Sequence, residues 1–92
     1  MAGGVVITGI GMLSPVGLDT ASSWGALLAG TSGVAPITGF DPERIDVKIA
    51  CELKGFDPES VMEKKEARKL DRCSLVAVAA AREAWAHAGL TV

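Results

Sequence analysis

Hydrophobic residues fall into four different patterns along the chain, and each pattern predicts its own element. Val5-Val6-Ile7 is a continuous apolar run with no polar face to offer water, which suits an interior strand covered on both sides. It leads into the glycine-punctuated loop from Thr8 to Gly17. Ala21, Trp24, Leu27 and Leu28 follow the three-and-four spacing of a helix with one buried face; Asp19 or Thr20 can cap it, and Gly30 stops it. From Asp46 to Leu53 the pattern changes to strict alternation. Val47, Ile49, Cys51 and Leu53 share one face, while Lys48, Ala50 and Glu52 share the other, as in a strand with one wet face. The last element runs from about Asp71 to His87. Leu75 to Ala81, with Ala84 and Trp85, leave little polar perimeter, so a buried helix is expected, ended by Gly89.

The intervening stretches read as connections. Residues 31–42 are rich in Gly, Thr, Ser and Pro, and Gly39-Phe40-Asp41-Pro42 pins a turn. Asp57-Pro58-Glu59 is a helix start, because aspartate accepts a first-turn amide bond and proline loses nothing at the first helical position. There is no repeat, low-complexity tract or linker, so residues 1–92 are taken as one segment without an internal boundary. A strand covered on both sides followed by helices indicates an α/β fold. One further strand and two good helices are too few to cover both faces of a sheet, so the layered fold is expected to be incomplete in this chain.

Composition narrows the classes of function. At 92 residues the chain allows one small domain, and 49% hydrophobic content is high for that length, so some apolar surface is expected to want a cover. No apolar run reaches the roughly 18 residues of a membrane span, and the first four residues lack the basic start of a secretory signal. We expect a cytoplasmic protein without a membrane partner. Cys51 and Cys73 have no metal-ligand spacing and are too few for a disulfide framework, so reduced thiols are expected. The net charge of −2 argues against a nucleic-acid partner. Five of the nine basic residues nevertheless lie between Lys64 and Arg72. If that stretch is one helix, its cations cover an arc of roughly 140°. Such a stripe is either a solvated face or a docking patch for an acidic partner.

Several candidate chemistries fail on their own terms. Gly9-Ile10-Gly11-Met12-Leu13-Ser14 suggests a dinucleotide cradle, but Ser14 replaces the third glycine, Pro15 delays the helix, and the acid expected roughly 20 residues later is missing. Ser14 lacks the flanking glycines of a hydrolase nucleophile, since Met12 and Val16 stand there. Cys73 sits near a helix start, yet His87 is fourteen residues along the same helix, or roughly 21 Å away. Cys51 reads as a small buried hydrophobe, and His87 as a residue favoured by a helix C-terminus. No catalytic residue, metal ligand or cofactor-binding residue is assigned, and no cofactor is expected.

Three ordered motifs nevertheless resemble a known family. Val5-Val6-Ile7-Thr8-Gly9-Ile10-Gly11 with Ser14-Pro15-Val16-Gly17, then residues 24–34 (Trp-Gly-Ala-Leu-Leu-Ala-Gly-Thr-Ser-Gly-Val), then Lys64-Lys65-Glu66-Ala67-Arg68-Lys69-Leu70-Asp71 are similar to the amino-terminal part of β-ketoacyl-[acyl-carrier-protein] synthases, nearest the type II elongating enzymes. The resemblance implies a thiolase-like, layered α/β/α/β/α fold in a dimeric and several-fold longer enzyme. That enzyme condenses malonyl-carrier protein with an acyl chain held on a cysteine, in fatty acid elongation. It also implies a cysteine nucleophile and two histidines, and neither Cys51, Cys73 nor His87 matches these by motif. Its basic segment meets the acidic helix of acyl carrier protein, and Lys65, Arg68 and Lys69 occupy the matching positions. The expected partners are therefore acyl carrier protein, the remainder of the synthase or a complementary chain, and a second copy in a homodimer. A chain of this composition alone is expected to be inactive. A free-standing carrier-protein-binding module and a polyketide ketosynthase segment are the alternatives.

Overall fold

The computed structural model describes residues 3–90. These fall into two compact units, one made of residues 3–12 and 57–90 and the other of residues 13–56.

In the second of these units, helix α1 spans Thr20–Leu28. Asp19 is its cap: its Oδ1 accepts from the Ser22 amide at 2.8 Å and from Ser22 Oγ at 2.6 Å. The helix closes on Gly30, whose φ of 72° is open to glycine at little cost. Gly30 N–H bonds Leu27 O and Thr31 N–H bonds Ala26 O, which satisfies two otherwise orphaned carbonyls. The expected inward face is reversed. Trp24, Leu27 and Leu28 are exposed, and the fully buried residue is Ser23. The reason is local: Ser23 Oγ pairs with Ser14 Oγ at 2.7 Å, which seats the polar side of α1 on the loop bridged by Ser14 and Gly17.

Residues 31–42 are not all loop. Strand β1 (Ala35–Pro36) pairs antiparallel with strand β2 (Ile49–Ala50), Ala35 opposite Ala50 and Pro36 opposite Ile49. The strand expected over 46–53 thus shrinks to two residues, with one further bond from Ile37 N–H to Lys48 O. Pro36 has no N–H to give a ladder, which limits its length. Cys51 is exposed rather than buried, and Val47 and Ile49 are exposed as well. Side chains replace the missing ladder. Glu52 accepts from Thr38 N, Thr38 Oγ1 and Gly39 N at 2.9–3.0 Å. Lys54 Nζ donates to the carbonyls of Gly33, Glu52 and Pro15 at 2.9, 3.2 and 3.4 Å.

The other unit is built on helix α3, Arg72–His87. It ends as α1 does, with Gly89 at φ 75° and bonds from Gly89 N–H to Ala86 O and Leu90 N–H to Trp85 O. Asp57 caps a 3₁₀ turn over Pro58–Ser60, accepting from Glu59 N at 2.9 Å as its motif predicts. Helix α2, Lys64–Ala67, comes next. Val61, Ala67 and Leu75 are the buried apolar residues. Helix α3 is less covered than its composition predicts: Leu75 alone is buried and Trp85 is exposed. The short elements of this unit cannot enclose a 16-residue helix on every side.

Val5, Val6 and Ile7 form no strand and are 103%, 76% and 83% exposed. Their expected ladder has no partner among the described residues. The adjoining segment, residues 9–12, is anchored on α3 instead. A Cβ at Gly9 would overlap the Ala84 carbonyl, and one at Gly11 would overlap the Ala80 carbonyl. The Gly-Ile-Gly spacing therefore lets backbone lie on backbone, and small residues on α3 make the matching surface.

Candidate docking surface

The candidate site lies on the turn that joins α2 to α3. A single helix from Lys64 to Arg72 does not form. After Ala67 the chain tightens, with Lys69 N–H bonding Glu66 O and Leu70 N–H bonding Ala67 O. Asp71 then adopts a β-region backbone at φ −69°, ψ 157° and starts α3. The continuous stripe expected of one helix is thereby replaced by a short helix and a turn.

Lys65, Arg68 and Lys69 are all exposed in this arrangement. They differ in how committed they are. Lys69 Nζ lies 3.7 Å from Glu66 Oε1, a pair whose side chains are 73% and 63% exposed and therefore weakly coupled. Neither Lys65 nor Arg68 has an ion-pair partner among the described residues, so both charges face solvent. Arg68 also contributes, with Lys64, to an open cleft of about 250 Å³. Its apolar lining comes from Pro58 and the buried Ala67 and Leu75, and Asp57 and Glu59 add carboxylates. Lys64 is not one of the three positions that the family resemblance singles out. Its place in the same basic run is the signal that includes it.

The groups considered for covalent chemistry are not assembled. Cys73 and His87 stand at opposite ends of α3, and both cysteines are exposed. His87 has a different contact, accepting the Ile10 amide at Nδ1 over 3.1 Å. Ser14 is engaged with Ser23 and Gly17. Two carboxylates have pKa values below the ordinary range, each through hydrogen bonding. For Asp19 the Ser22 hydroxyl is the main cause and the Ser22 amide the second. For Glu52 the Thr38 amide comes first, then the Gly39 amide and the Thr38 hydroxyl. Both belong to the scaffold of residues 13–56. No helix among the described residues is long and apolar enough to cross a membrane.

Comparison with known proteins bears on the whole chain. A family model described as the amino-terminal domain of β-ketoacyl synthases matches residues 2–92. The 3-oxoacyl-[acyl-carrier-protein] synthase 2 of Vibrio cholerae is 49% identical over 88 residues, and that of Coxiella burnetii 47% over 88 residues. The Staphylococcus aureus protein of the same name is likewise 47% identical. Each alignment covers 96% of this chain and 21% of the relative, so the chain spans about a fifth of the curated relatives it matches. Among solved structures, the ishigamide ketosynthase/chain length factor superposes with a TM-score of 0.84 at 40% identity, covering 94% of this chain and 21% of that one.

Proposed function

Because the chain belongs to the β-ketoacyl synthase family, matching its amino-terminal domain over residues 2–92, we propose that the protein carrying it is a cytoplasmic 3-oxoacyl-[acyl-carrier-protein] synthase of fatty acid elongation. The observation that carries this reading is the 47–49% identity to synthases of that name across 96% of the chain. In the reaction, an acyl group moves from its carrier to an enzyme cysteine. Malonyl-carrier protein then loses CO2, and the resulting carbanion attacks the acyl thioester to form the new carbon–carbon bond and release the cysteine thiolate.

The part assigned to these 92 residues is scaffold and docking. Lys65, Arg68 and Lys69 form the surface that meets the acidic helix of acyl carrier protein. Exposed cations of this kind act chiefly on encounter rate and orientation, and their effect falls as salt rises. All three cations contribute, and the exposed Glu66 carboxylate 3.7 Å from Lys69 offsets only a small part of that residue's charge. The cysteine and histidines of the chemistry are supplied outside Cys51, Cys73 and His87, and the 92-residue polypeptide alone is inactive. The intact enzyme is a homodimer.

A polyketide role is the second reading, and the 40% identity to the ishigamide protein is what speaks for it. The higher identity to the synthase 2 proteins favours fatty acid elongation. The test is condensation by the intact protein with malonyl-carrier protein and a carrier-bound acyl primer, read as CO2 release and 3-oxoacyl product. Product with saturated acyl primers supports the proposal. Carrier-protein binding without CO2 release would instead support a non-catalytic module.

A further inference from the structure

Two side chains on α3 take the place of a neighbouring strand. Met12 N–H donates to Glu83 Oε1 at 2.8 Å, and Ile10 N–H donates to His87 Nδ1 at 3.1 Å. The spacing of these bonds is matched. Residues 83 and 87 are one turn apart, a rise of about 6 Å along a helix, and two residues of extended chain rise by about 6.6 Å. Alternate amides of the segment thus meet successive turns of one helix face. Gly9 and Gly11 alternate with the bonded residues and let the segment lie directly on Ala84 and Ala80.

We propose that Glu83 and His87 are positioning residues that latch segment 9–12 onto α3, and that the latch opens when His87 is protonated. Acceptance at Nδ1 requires the neutral imidazole with its proton on Nε2. A proton at Nδ1 turns the acceptor into a donor facing the Ile10 N–H, and that contact is lost. The imidazole is the side chain whose ordinary charge change falls between about pH 5 and 8. The latch is therefore closed while the imidazole is neutral and is lost when Nδ1 carries a proton. The titratable neighbour on α3 is Glu83, one turn back, and residues 3–12 contribute no ionisable side chain. An imidazolium at position 87 has the Glu83 carboxylate and the last α3 carbonyls as alternative partners. Protonation thereby competes for the second acceptor as well as removing the first.

Hydrogen exchange of the intact protein, followed on peptides covering residues 8–13 and normalised for intrinsic rates, tests this between about pH 5.5 and 8, the range of imidazole titration. We expect protection of the Ile10 amide to drop about tenfold once the imidazole is protonated, because Nδ1 then no longer accepts from it. His87→Asn places an uncharged carbonyl oxygen near the Nδ1 position, and should keep the protection while removing its pH dependence. His87→Ala should lose it at every pH, with helix content unchanged by circular dichroism. Protection in the wild type that is independent of pH would overturn the proposal, as would an identical pH dependence in His87→Asn.

Discussion

Gly11 lies against Ala80 so closely that a Cβ at position 11 would overlap the Ala80 carbonyl. The contact is backbone on backbone, so neither partner can swing aside. Gly11→Ala should therefore destabilise the protein by about 3 kcal/mol, the upper range for overpacking. Gly25 is the control. It lies inside α1 with nothing within 4 Å of an added Cβ, so Gly25→Ala should stabilise by about 0.5–1 kcal/mol through helix propensity. Denaturant midpoints of the two variants should shift in opposite directions.

That contact also marks how far the sequence can be read. The caps and stops are legible in it, because Asp19, Asp57, Gly30 and Gly89 act through bonds to residues a few positions away. The basic cluster is legible as charge. Its shape is not, since the break at Asp71 depends on where α3 begins. The faces are the least legible. Periodicity places Trp24 and Leu27 inward, while one serine pair, Ser14 with Ser23, turns α1 the other way. Nothing in local spacing joins Ile10 to His87, which are 77 positions apart. The two glycines read as unsuited to a phosphate, but the run itself gives no sign of the helix backbone that fills their space.

Lys54 ties three stretches of the residue 13–56 unit through the carbonyls of Pro15, Gly33 and Glu52. Lys54→Met keeps the aliphatic stem and removes every donor. The expected loss is about 1 kcal/mol, the net value of one ordinary hydrogen bond, because all three Lys54 bonds are exposed to solvent. Amide exchange should rise around Gly33 and leave α3 unaffected.

Acid should loosen the same unit. Glu52 and Asp19 have pKa values below their ordinary 4.5 and 3.8 because their ionised forms accept hydrogen bonds in the folded chain. Folded values below unfolded ones mean that stability is fully present above the unfolded pKa and is lost as pH falls through the folded value. The window is therefore below about pH 4.5. The double variant Glu52→Gln with Asp19→Asn keeps an acceptor at both sites without the titration, and its stability should fall less steeply below that pH than the wild type's. Equal slopes would show that other carboxylates dominate.

If the basic turn between α2 and α3 delivers the carrier protein while condensation is performed elsewhere in the enzyme, its charges should govern substrate capture and leave turnover alone. The decisive experiment is steady-state kinetics of the intact protein carrying Lys65→Glu with Arg68→Glu, measured against malonyl-carrier protein at low ionic strength. KM should rise roughly tenfold, with kcat within about twofold of wild type and the difference shrinking as salt is added. An unchanged KM at low salt, or a fall in kcat at constant KM, would contradict a docking role for Lys65 and Arg68.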